Sequence, residues 1–423
     1  MKLVGRKIGH AIRIMGTGKV HLLASKLSKV MEETVWYDNR CISLKPEGPQ
    51  RGNVLLSYIN DPFYLKPGEA LPNSHTHYWE SLQIAKAFLD LGYGVDIIRY
   101  SNHSFVPAKD YSFIIDARTN LERLSPLLNK DCVKIMHLDT AHWLFHSTAQ
   151  HRRLWELQQR RGITLHPWKT VTPNWGIEHA DCATILGNDF TINTYQYAKK
   201  PIYRLRITTP VLYPWSEKDF DACRKRFLWF GSAGLVHKGL DLVLEAFAEM
   251  PEYHLTVCGP IDGEKAFQEA YHRELYQSPN IETVGWVDIS SPKFRKIVNS
   301  CLALIYPSCS EGQSGAVVTC MHAGLIPLIS FQSGVDVHEF GVLLKDCSIN
   351  EIKDSIRSLA DLSVHELKSM ARRTWEYART NHTREKFAED FRKIIDLITN
   401  RLCSNDATAC WNEKDLTLKQ QRC

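Results

Sequence analysis

The strongest constraint on this chain is a recurrence. Short runs rich in Val, Ile and aromatic residues alternate with stretches of helical period. The runs are GNVLLSYIN, GYGVDIIRY, YSFIIDA, CVKIMHL and CATILG before residue 190, then FLWFGS, HLTVCGP, IETVGWV, CLALIYPS, IPLISF and FGVLL after residue 226. Between them, residues 76–91 place Tyr78, Leu82, Ala85, Phe88 and Leu89 on one helical face, and residues 239–249 do so with Leu240, Val243, Leu244 and Phe247. Strand, helix, strand repetition demands parallel sheets covered on both faces. The runs fall into two sets, separated at 197–226 by Pro201, Pro210, Pro214 and the polar stretch SEKDFDACRKR, which reads as an interdomain linker. The expected fold class is therefore α/β, with two doubly wound Rossmann-like domains facing a central crevice where ligands bind. The expected divisions are a basic N-terminal extension (1–45), an N-terminal domain (46–205), a C-terminal domain (206–383), a closing helix (384–402) and a loose tail (403–423). The closing helix carries Phe387, Phe391, Ile394, Ile395 and Ile398 on one stripe.

Composition removes several function classes. With 423 residues, 44% hydrophobic and 23% charged, the chain is neither disordered nor fibrous. A net charge of +5 is too small to mark a nucleic-acid binder. That excess is confined to the first 30 residues, where Lys2, Arg6, Lys7, Arg13, Lys19, Lys26 and Lys29 meet no acidic residue. Interleaved Leu3, Ile8, Ile12, Leu22, Leu23 and Leu27 make this segment a candidate for an anionic membrane surface, or a basic arm packed on the protein. It lacks the continuous apolar core of a secretory signal, and no run of about 20 apolar residues exists to span a bilayer. The twelve cysteines form no CxxC pair, which fits free thiols in a reducing cytoplasm.

Two loops carry the chemistry. The first, Gly231-Ser232-Ala233-Gly234-Leu235-Val236-His237-Lys238-Gly239, runs from the strand FLWF into the helix LDLVLEAF. Glycines admit close backbone approach, bare N–H groups at a helix start favour an anion, and Lys238 adds a full charge. This is a phosphate or diphosphate cradle, or in the blander reading a glycine-bearing turn with a solvated lysine. It matches neither the P-loop nor the dinucleotide pattern. The second, Ser308-Cys309-Ser310-Glu311-Gly312-Gln313-Ser314-Gly315, again joins a strand to a helix. Glu311 would repel a phosphate there, so it suits sugar hydroxyls beside that phosphate, or simple helix capping.

These two loops, together with the following His-Ala-Gly-Leu-Ile-Pro (322–327), resemble the C-terminal domain of the retaining, nucleotide-sugar-dependent glycosyltransferases of family 4, which have the GT-B fold. The likeness is specific over roughly 225–345 and weak over 50–400. It implies that Lys238 grips the donor diphosphate, that Glu311 contacts the donor sugar, and that the amides of Gly312, Gln313, Ser314 and Gly315 hold sugar and phosphate. Two positions depart from the family pattern. Thr319 stands where a second glutamate usually holds the ribose, and Ser232 stands where an arginine usually follows the first glycine. The extra glycine, Gly234, is a candidate to offer an amide in place of that arginine, completing a donor set of Gly231, Ser232, Gly234, Lys238, 312–315 and Thr319.

In the N-terminal half, Asn73-Ser74-His75-Thr76-His77-Tyr78-Trp79 replaces the family's glycine-rich acceptor loop. It suits sugar binding or a capped helix start equally, with His75 and His77 as acceptor-side candidates. The run His137-Leu138-Asp139-Thr140-Ala141-His142 follows a strand, and the resemblance points to His137 first and His142 second as histidines lining the reaction centre. His137, Glu311 and Lys238 form the expected catalytic set. Asp219-Phe220-Asp221 spells an Asp-x-Asp metal motif but lies in the charged linker, so neither a metal nor a cofactor is expected.

The expectation is thus a metal-independent retaining glycosyltransferase, cytoplasmic or peripheral at the inner face of the plasma membrane. It would move a sugar from a nucleotide diphosphate sugar to a saccharide or lipid-linked acceptor in surface polysaccharide assembly. The alternatives are a nucleotide-sugar epimerase on the same fold, and a catalytically silent scaffold or saccharide-binding subunit.

Overall fold

The computed structural model describes residues 39–403 apart from residue 67. The basic segment 1–30 and the tail beyond Cys403 lie outside the described residues.

Two sheets organise the chain. The first contains β1 (Cys41–Leu44), β2 (Gly52–Tyr58), β3 (Tyr93–Arg99), β4 (Phe113–Asp116), β5 (Val133–Leu138), β6 (Cys182–Leu186) and β7 (Ile202–Leu205), in the spatial order β1-β3-β2-β4-β5-β6-β7. All neighbours are parallel except β1, which runs antiparallel to β3 with Cys41 opposite Ile98. The second sheet is wholly parallel. It holds β8 (Arg226–Phe230), β9 (His254–Cys258), β10 (Ile281–Gly285), β11 (Ala303–Tyr306), β12 (Ile326–Ser330) and β13 (Val342–Leu344) in the order β10-β9-β8-β11-β12-β13. Helices cover both faces, so interior strands are mostly apolar; Val54, Leu55 and Leu56 are all fully buried.

Strand order reverses between β2 and β4 in one sheet and between β8 and β11 in the other. At each reversal the outgoing chains leave to opposite faces and open a crevice at the strand C-terminal ends. The segments around 59–76, 117–119, 231–239 and 307–314 are therefore the ones placed to build a site.

Every strand expected from the apolar runs is present, and two more appear. β1 falls inside the stretch read as an N-terminal extension, and its alternating exposed and half-buried residues mark a sheet edge with little apolar signal. β7 falls inside the stretch read as a linker, where Arg204 and the preceding Pro201 disguise a short edge strand.

Two helices cross between the halves. Helix α1 (His77–Asp90) covers the first sheet. Helix α2 (Trp143–Arg161) belongs to the N-terminal half by sequence but docks on the second sheet's helices. Its Leu157 is buried in the same cluster as Trp229 and Val243. Arg153 donates to the Pro307 carbonyl at 3.1 Å, Arg160 pairs with the buried Asp241 at 2.7 Å, and Arg161 pairs with Glu274 at 2.7 Å. Helix α3 (Leu240–Ala248) follows β8, and α4 (Gly315–His322) follows β11. Helix α5 (Arg384–Cys403) returns from the C-terminal side, setting Phe387 against Trp79 and Phe391 against Phe88 of α1.

Candidate active site

The two reversal points face each other across a cavity of about 1140 Å³. Its C-terminal wall is built by the loops leaving β8 and β11. Gly231 lies where a Cβ would meet the Trp229 ring at 2.9 Å and the Lys238 stem at 3.2 Å, so only glycine lets that lysine fold back toward the cavity. The Lys238 ammonium donates to Tyr306 Oη at 2.8 Å and to Glu311 Oε1 at 2.6 Å. The same carboxylate oxygen accepts from Tyr306 Oη at 2.9 Å and Ser308 Oγ at 3.1 Å.

Burial opposes both charges, and each compensates the other. It would lower the Lys238 pKa, but the Glu311 carboxylate holds it well above its usual value. Burial would raise that of Glu311, but Lys238, then His237 and Lys169, hold it far below the carboxylate range. Each charge of the pair thus favours the ionised form of the other.

The Glu311 loop is fixed from three sides. The Gln313 side chain accepts from the Ile207 amide at 2.6 Å and donates to the Gly334 carbonyl at 3.2 Å, so it serves as a brace. Thr191 Oγ1 donates to the Gly312 carbonyl at 2.9 Å. The Ser314 amide donates to the Ser333 carbonyl at 3.0 Å, and the Ser314 side chain caps α4. Among the described residues, the amides of Gly312 and Gln313 have no acceptor, leaving them available to a ligand. Ser232 is exposed on the cavity wall. Thr319 lines the cavity too, but its hydroxyl donates to the Gly315 carbonyl at 2.7 Å.

The N-terminal wall carries a second charged group. Arg118, just beyond β4, pairs with Asp139, just beyond β5, at 2.7 Å. His77 bridges Asp139, at 3.9 Å, and the fully buried Glu80. Burial works against the His77 cation, yet Glu80 overcomes it and raises the pKa. His75 sits 4.6 Å from His77 between ring centres and accepts from its amide. Burial, then His77, push the His75 pKa down to about 4, so this ring is a neutral acceptor.

Three sequence expectations are placed elsewhere. His137 lies within β5, is fully buried, and pairs Nδ1 with Thr184 Oγ1 at 2.8 Å beneath the Tyr58 ring. Burial lowers its pKa to about 4. Tyr58 and Asp139 line the cavity there instead. His142 caps α2 and meets Tyr197 Oη at 3.0 Å, off the cavity. The Gly234 amide donates to Glu264 at 2.5 Å, with the Leu235 amide beside it, so an internal carboxylate occupies the one loop amide that is a candidate for the donor. Asp219 caps a short helix by accepting from the Ala222 amide at 3.0 Å, away from the cavity. Among the described residues no cluster of three potential metal ligands exists, and no helix is long and apolar enough to cross a membrane.

The sequence reading missed Lys169, Arg118, Asp139, His146 and Tyr306, all on the cavity wall. Asp139 and Arg118 each sit directly after a strand, a signal available in principle; Lys169 lies in the irregular stretch after α2 and carries none.

Residues 224–361 match a family model described as Glycosyl transferases group 1. A comparison with curated proteins gives no match. Among solved structures, sucrose-phosphate synthase from Thermosynechococcus elongatus superposes with a TM-score of 0.56 at 13% identity, covering 83% of this chain and 99% of that one. HepE from Anabaena, crystallised with UDP and glucose, gives 0.52 at 12% identity, covering 82% and 99%. The fold is GT-B. The S. aureus protein TarM also matches at 11% identity and a TM-score of 0.47, and this chain spans 55% of its length.

Proposed function

We propose that the protein is a nucleotide-sugar-dependent glycosyltransferase working in the crevice between the two sheets. The observation that carries this reading is the Lys238–Glu311 pair on adjacent strand-to-helix loops, beside the unpaired amides of Gly312 and Gln313. A donor diphosphate would take the ammonium and the amides, and the donor sugar would offer hydroxyls to the Glu311 carboxylate. The group 1 family match over 224–361 supports the same assignment.

The acceptor would bind against the opposite wall, where Tyr58, His75, His77, Arg118 and Asp139 supply a polar, aromatic surface. Enzymes of this kind gain rate by positioning both reactants, the acceptor on the face from which the diphosphate departs, and by stabilising charge on that diphosphate. Retention of anomeric configuration, independence of metal, and a saccharide or lipid-linked acceptor complete the reading. The seven basic charges of residues 1–30 favour work beside an anionic membrane, as surface polysaccharide assembly would need.

A thermal-shift screen with nucleoside diphosphates and their sugars tests the donor side. One base should raise the melting temperature, the shift growing with the logarithm of ligand concentration above Kd; no shift with any of them rejects the reading. The acceptor side is tested by paired variants. Asp139→Asn should lower turnover at least about tenfold, a modest share of what one positioned polar group contributes, while His137→Gln stays within about threefold because that ring lies off the cavity. The reverse pattern would return His137 to the site.

A further inference from the structure

Three cationic side chains reach the cavity from different elements. Arg118 is paired with Asp139 and Lys238 with Glu311. Lys169 is the third, and among the described residues its ammonium makes no ion pair or hydrogen bond. Its backbone is nevertheless held firmly. The Lys169 amide donates to Gln150 Oε1 at 2.7 Å, and its carbonyl accepts from His146 Nε2 at 2.8 Å. His146 in turn accepts from Ser310 Oγ at 3.1 Å through Nδ1, tying this arm to the loop that bears Glu311. The Lys169 stem lies against Gly234, where an added Cβ would meet its Cγ at 2.5 Å. The neighbouring charges are Lys238, Glu311, Arg118 and Glu264. Lys238 first, and burial second, weaken the Lys169 cation.

Two ammonium groups that repel each other across a cavity, one spent on a carboxylate and one unspent, make a site for an anion carrying more than one charge. We propose that Lys169, reaching over from the N-terminal half, is a donor-binding residue that contacts the diphosphate opposite Lys238. This deepens the glycosyltransferase reading and rests on it. The diphosphate would then be held from both halves at once, by Lys238 after β8 and by Lys169 on the arm following α2. Gly234 is required so that the Lys169 stem can pass.

The test compares wild type, Lys169→Met, Lys169→Arg and Lys238→Met/Glu311→Gln, titrated with UDP, GDP and the parent nucleosides. Lys169→Met should weaken the bound diphosphate about 10- to 100-fold, the span of one charge-assisted hydrogen bond. It should leave nucleoside binding unchanged and the melting temperature unchanged or slightly higher, since the ammonium makes no ion pair or hydrogen bond among the described residues and Lys238 and burial both oppose its charge. Lys169→Arg should restore most of the affinity, and in turnover assays the loss should appear in donor KM more than in kcat. Unchanged diphosphate affinity in Lys169→Met, alongside lost affinity in the Lys238/Glu311 variant, overturns the role of Lys169 and leaves the function standing. Failure of wild type to bind any nucleoside diphosphate overturns both.

Discussion

Lys238→Met is expected to abolish sugar transfer and to destabilise the fold together. The ammonium is buried and holds the Glu311 carboxylate in its ionised form. Removing it strands that charge against Tyr306 and Ser308, and breaking such a pair costs about 3–5 kcal/mol. Loss of the cation facing the departing diphosphate should lower turnover by at least about 10²–10³-fold, beneath detection in a transfer assay. The two effects are separable. Lys238→Met/Glu311→Gln replaces both charges with groups of similar shape, and Gln keeps an oxygen to accept from Tyr306 and Ser308. Chemical denaturation of this double variant should recover most of the lost stability, whereas transfer should stay absent. Recovery of transfer along with stability would mean that the pair only supports the fold.

The second large effect concerns a glycine remote from the ligand in sequence. Gly334 has φ +74, and a Cβ there would overlap the carbonyl of Gly312 and approach its carbonyl carbon at 2.6 Å. Neither atom can yield without moving the backbone of the Glu311 loop, which Gln313 braces against the same Gly334 carbonyl. Gly334→Ala should therefore cost more than about 3 kcal/mol, combining left-handed strain with overpacking. Gly48→Ala is the control, because Gly48 has φ +97 with nothing near its Cβ position. It should cost only the strain, about 1 kcal/mol. Equal melting temperatures for the two variants would show that the Gly312–Gly334 crossing does not fix the loop.

Legibility in the sequence followed locality. The interior strands could be read because their residues are buried on both faces, giving unbroken apolar runs such as Val54 to Leu56. β1 and β7 could not, since edge strands of four residues need little apolar surface. Lys238 and Glu311 were recognisable because strand, glycine loop and helix start are consecutive in the chain. The rest of the site depends on topology. Arg118 meets Asp139 only because β4 and β5 are neighbours, and Lys169 reaches the cavity only because α2 leaves the first sheet and docks on the second. The family resemblance points to His137 as the histidine at a strand end, and gives no signal for Asp139. His137 sits within β5, opposite Thr184 of β6 and under Tyr58, behind the cavity wall, while Asp139 stands one residue past the last rung.

The most direct test is a transfer assay with the donor that stabilises the protein, following nucleoside diphosphate release and sugar attachment to a saccharide acceptor in parallel. Wild type should release one diphosphate for each sugar attached, and the folded Lys238→Met/Glu311→Gln variant should do neither. The account is contradicted if that variant turns over at the wild-type rate, or if wild type isomerises the sugar and leaves the nucleotide attached.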